Sequence, residues 1–112
     1  MSGFNRPLDP GQLILAVNGS PQFLGTITAT TAKDNTNTAV PFTIPAGSVI
    51  LIQPDSACYI KPQTVAATAV TTTNGVLLGA NEKFTTILDS AEAYVSCLAV
   101  SGTTNMKVWQ LA

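Results

Sequence analysis

The side chains that could do chemistry in this 112-residue chain are few. There is no His, so the commonest general base and the commonest metal ligand are both missing. Cys58 and Cys97 are the only thiols. A thiolate nucleophile needs a base or a cation beside it, and neither Cys has one near in sequence. Two widely spaced Cys without His also make a poor zinc set. Both thiols sit in apolar, strand-like surroundings, which predicts buried free cysteines; their separation along the chain leaves a disulfide open. Asp34, Asp55, Glu82 and Asp89 fall in turn-like stretches, where carboxylates accept backbone hydrogen bonds. Asp89 and Glu92 lie close together on one connector and could share a calcium ion, but such a site needs more oxygen ligands than two. No glycine-rich phosphate loop and no nucleophile elbow is present. The residues therefore predict neither an enzyme nor a cofactor. The aromatic side chains Tyr59, Tyr94 and Trp109 are the candidates for a carbohydrate platform; otherwise Trp109 packs on the core or on a neighbouring subunit.

Charge sharpens this reading. Only 10% of residues are charged, 46% are hydrophobic, and the net charge is −1. Mean hydropathy is +0.31. About one residue in seven is Thr, which favours strands. Arg6, Lys33, Lys61, Lys83 and Lys107 are scattered singly, so no basic patch for nucleic acid is expected. No apolar run is long enough for a membrane helix, and the start of the chain lacks the pattern of a secretory signal. A surface covered by hydroxyls and amides in place of ions loses little on desolvation. That composition predicts extensive protein–protein contact.

The elements that would position these residues read as short strands. Tyr94–Val100 and Met106–Leu111 flank a Ser-Gly-Thr-Thr-Asn cluster and predict an antiparallel hairpin. In the first strand Val95, Cys97 and Ala99 share one face. Phe23 to Thr31 alternates, with Phe23, Gly25, Ile27 and Ala29 on one face and Leu24, Thr26, Thr28 and Thr30 on the other. Ala32–Asn37 reads as a polar turn. Val40, Phe42 and Ile44 read as a short edge strand interrupted by Pro41. Val49–Ile52 is four consecutive large apolar residues and predicts a central strand. Ala57–Lys61, stopped by Pro62, and Lys83–Leu88 add two more, with an Asn74-Gly75 turn before Val76–Leu78. Turn signals every 8–12 residues predict an all-β fold: an antiparallel β-sandwich or jelly-roll-like small barrel of about eight short strands. Residues 1–22 read as an N-terminal arm punctuated by Pro and Gly, and 23–112 as the domain. Inside the arm, Leu13, Ile14, Leu15 and Val17 form an apolar run that pairs at an edge or reaches a neighbouring molecule; it serves equally as a first strand of the sandwich.

Three stretches carry a resemblance: the Ile44-Pro45-Ala46-Gly47-Ser48 entry to an apolar strand, the segment Val76-Leu77-Leu78-Gly79-Ala80-Asn81-Glu82-Lys83-Phe84, and the ending Val100-Ser101-Gly102-Thr103-Thr104-Asn105-Met106-Lys107-Val108. With them, Phe23 to Ala112 resembles small structural proteins of tailed bacteriophage virions, capsid decoration or cement proteins above all, and also head-fibre and tail-associated modules. The resemblance implies a homo-oligomer, typically a trimer, seated on the capsid exterior against the major capsid protein and made in the host cytoplasm. Avidity over many weak contacts would reinforce the shell. The arm run is then the partner-binding element, by strand addition. A carbohydrate- or receptor-binding module of a head fibre or tail is the competing expectation. No catalytic residue comes with the resemblance.

Overall fold

A computed structural model describes residues 21–66 and 70–112. The arm residues 1–20, with the Leu13–Val17 run, and residues 67–69 lie outside the described residues. Among the described residues eight strands form: β1 (Gln22–Ala29), β2 (Lys33–Asp34), β3 (Val49–Pro54), β4 (Cys58–Gln63), β5 (Val76–Leu78), β6 (Phe84–Ile87), β7 (Tyr94–Ala99) and β8 (Thr104–Gln110). They make two antiparallel four-stranded sheets, ordered β1-β8-β3-β6 and β2-β7-β4-β5. The strands pair as one long folded hairpin: β1 with β8, β2 with β7, β3 with β6 and β4 with β5. This is the strand order of a jelly roll.

Alternation explains the core. Ile27, Ile50, Ile52, Met106 and Val108 point inward from the first sheet, and Cys58, Ile60, Val95 and Cys97 from the second; all are fully buried. Each large aliphatic among them contributes roughly 1.5–3 kcal/mol through burial. Central placement of Val49–Ile52 is met, because β3 lies between β8 and β6. The predicted face of Val95, Cys97 and Ala99 is also met.

Four local expectations are corrected. The terminal strands do not form a hairpin: β7 belongs to one sheet and β8 to the other, and residues 100–103 arch between the layers. Gly102, at φ +63°, turns that arch without strain. A hairpin would have put both apolar inner faces in one layer; crossing lets them face each other. Ala32–Asn37 is not wholly a turn, because Lys33 and Asp34 pair with Cys97 and Ser96 as β2. Val40–Ile44 is not a strand. Pro41 and Pro45 each lack an N–H, and Asn35 instead anchors the segment through its O from Phe42 N (2.9 Å) and its Nδ2 to Phe42 O (3.1 Å). β4 runs through Pro62 to Gln63. Proline fits there because β5 pairs only with residues 58–60, so beyond Ile60 one side of β4 has no ladder to break.

Candidate functional site

The two thiols come together. Cys58 lies opposite Ala99 and Cys97 opposite Ile60 on the β4·β7 ladder, which makes them diagonal neighbours on the inner face. Both are free and buried. The hydrogen bond with the adjoining Cys58 thiol, and then burial, push the Cys97 thiol far above its ordinary range. A protonated thiol sealed in the core is a packing group and a poor nucleophile.

The acids build turns. Asp34 Oδ1 accepts from Thr36 N (2.7 Å), Thr36 Oγ1 (2.5 Å) and Asn37 N (3.1 Å). Glu82 Oε1 accepts from Gly79 N, and Glu92 Oε1 from Asp89 N, each at 2.7 Å. Glu92 thus closes the connector it shares with Asp89. Asp55 accepts from Asn105 N (2.8 Å) and Asn105 Nδ2 (3.0 Å), and these bonds hold its carboxyl below the ordinary carboxylate value. Among the described residues no group of three or more His, Cys, Asp or Glu side chains is placed to hold a metal ion. No helix there is long and apolar enough to cross a membrane.

The three aromatic candidates are not brought together. Tyr59 and Tyr94 sit on the β2-β7-β4-β5 sheet, whereas Trp109 is on β8 in the other sheet. Trp109 meets a residue that sequence reasoning placed on the wrong face. A bulge between Phe23 and Gly25 sets Phe23 opposite Trp109, while Gly25 lies opposite the buried Val108. Phe23 is therefore turned outward, 52% exposed, with its ring edge-on to Trp109 at 5.7 Å and 65°. Gly25 also permits a close approach. A Cβ on Gly25 would lie 2.3 Å from the Phe42 ring, so only glycine lets Phe42 pack there. The isolated Gly inside a strand pattern was the signal for that bulge.

These residues organise a surface. β1 is an edge strand of its sheet among the described residues. Beside it runs a groove of about 380 Å³, walled by Phe23, Leu24 and Thr26 on one side and Val40, Pro41 and Phe42 on the other. Thr38 Oγ1 accepts from Thr28 N at 2.8 Å, so the 38–42 segment closes the far half of the edge. Around the corner, on the outer face of the same sheet, follow Trp109, Leu51 opposite it, and Ile87 opposite Val49. Val40 is 76% exposed and Ile87 48%. Further along that face lies a polar hollow of about 210 Å³ lined by Gln53, Asp55, Asn81, Asn105 and Lys107. An apolar strip beside a threonine-rich edge is suited to holding another polypeptide.

No family model, curated protein or solved structure matches this chain, so its function is argued from its own surface.

Proposed function

We propose that this is a structural protein of a tailed-bacteriophage virion, a capsid decoration protein with no enzymatic activity. In this reading copies associate, as a trimer, on the exterior of the head and brace neighbouring subunits of the major capsid protein. One observation carries the reading. A jelly roll with 10% charged residues leaves an apolar and hydroxyl surface at the β1 edge, where Phe23 and Val40 are more than half exposed. Such a patch costs little to desolvate and gains when covered. Repeated over a lattice, weak contacts of this kind add to tight binding.

The test is co-sedimentation of the purified protein with heads of the phage that encodes it, with light scattering for oligomer mass. Saturable binding and a mass of about three chains are expected. A monodisperse single chain that ignores heads defeats the reading. One observation favours the second reading, a receptor- or carbohydrate-binding module: the Phe23–Trp109 ring pair shares an outer face with the polar hollow around Asp55. Stacking beside amide and carboxylate groups suits a sugar. Glycan-array binding that is lost in Trp109→Ala, together with indifference to heads, would move the assignment there.

A further inference from the structure

We propose that the groove along β1 receives the Leu13–Val17 run from a second copy of this chain, as an added strand; this deepens the association part of the reading above and rests on it.

The groove has the form of a strand-addition site. Its inner wall is the outward edge of β1, and its outer wall is Val40, Pro41 and Phe42. Because Thr38 takes the amide of Thr28, the part of the edge still open is the half near Gln22. That half spans about five residues. A five-residue strand is roughly 17 Å long, which matches Leu13-Ile14-Leu15-Ala16-Val17. The occupant must be apolar to cover Phe23, Leu24 and Val40, and this run contains no polar residue.

One feature favours a second copy over the run's own chain. Every residue of the run is apolar, on both of its strand faces. As an outermost strand on its own sheet it would leave one of those faces in water. Held between two copies it buries both. The link from Val17 to Gln22 is five Cα steps, at most about 17 Å, enough to pass from one copy to a neighbour in contact.

The test cross-links full-length chains. Val40 is exposed and both native thiols are buried, so Val40→Cys and Leu15→Cys supply the reactive pair. The two single variants, mixed and mildly oxidised, are expected to give a covalent dimer that neither gives alone in comparable yield. Leu13→Asp with Leu15→Asp is expected to lower the scattering mass to that of a single chain. The inference is overturned if the double variant Leu15→Cys, Val40→Cys closes within one chain while the mixture stays unlinked. It is equally overturned if nothing cross-links and the Asp variant keeps its oligomer. Head binding without cross-linking sinks this inference alone. Cross-linking without head binding sinks the capsid reading and leaves the exchange standing.

Discussion

The two sheets share one core yet finish their outer faces differently. On the β2-β7-β4-β5 sheet, outward positions are sealed by the chain's own polar groups. Asp34 and Ser96 are 1% exposed and Gln63 is 5%. Ser96 Oγ donates to Gln63 Oε1 at 3.0 Å, and Gln63 Nε2 to Val65 O at 3.0 Å. Asn35 ties the adjoining loop to β7, accepting from Val95 N at 3.1 Å. Val70 and Tyr59 close tightly over Gly75. On the β1-β8-β3-β6 sheet, Thr28, Asn105 and Lys107 face solvent, and Phe23 and Ile87 stand half bare. Buried polar groups that satisfy one another are spent on the fold. Val76 and Leu77 at the β5 edge, and Val65 just beyond β4, are exposed apolar residues on the sealed side.

Substitutions can break or sharpen that contrast. The largest effects should ignore it. Ile52→Ala and Ile60→Ala point into the common core from opposite sheets and should each cost roughly 2–5 kcal/mol in urea unfolding. A large cost at one and almost none at the other would mean the sheets do not share a core. Next, the outer faces should separate. Asn35→Ala removes the acceptor of the buried Val95 amide and the donor to Phe42 O, and should cost about 2 kcal/mol. Thr28→Ala on the open sheet should stay within about 0.5 kcal/mol, since it loses an exposed bond to Asn105 Oδ1. Equal costs would erase the distinction drawn here. The smallest effect is acid dependence on the open face. The Asp55 carboxyl titrates below its ordinary value in the folded state, so its contribution is present at neutral pH and is lost as pH falls through that lowered value. Because the group is exposed, Asp55→Asn should remove only a few tenths of a kcal/mol of stability at pH 7 and almost none near pH 2, by thermal melts at the two pH values.

Much of the fold was legible because alternation is local. The inward set Val95, Cys97 and Ala99, the central Val49–Ile52 and the turn at Asn74-Gly75 can each be read from a few neighbouring residues. Burial of the two thiols reads from the same local pattern, whereas their staying free was decided only in the folded chain. The surface was less legible. Alternation groups Phe23 with Ile27 and Ala29 because a strict period of two cannot show the bulge between Phe23 and Gly25. The β7–β8 connection looked like a hairpin because turn residues between two strands do not say whether the chain stays in one sheet or crosses to the other. Val40–Ile44 has strand-like alternation, and its proline-broken backbone found its partner in Asn35 instead.

What the amino-acid order determined alone is the class of fold, which residues of a strand share a face, and a body poor in ions. These follow from side-chain type at a spacing of two residues. Tertiary structure decided which strands became neighbours and which outer face was left uncovered. Those outcomes turn on pairings such as buried Ile27 of β1 opposite buried Met106 of β8, and a local pattern holds no information about which distant strand will arrive.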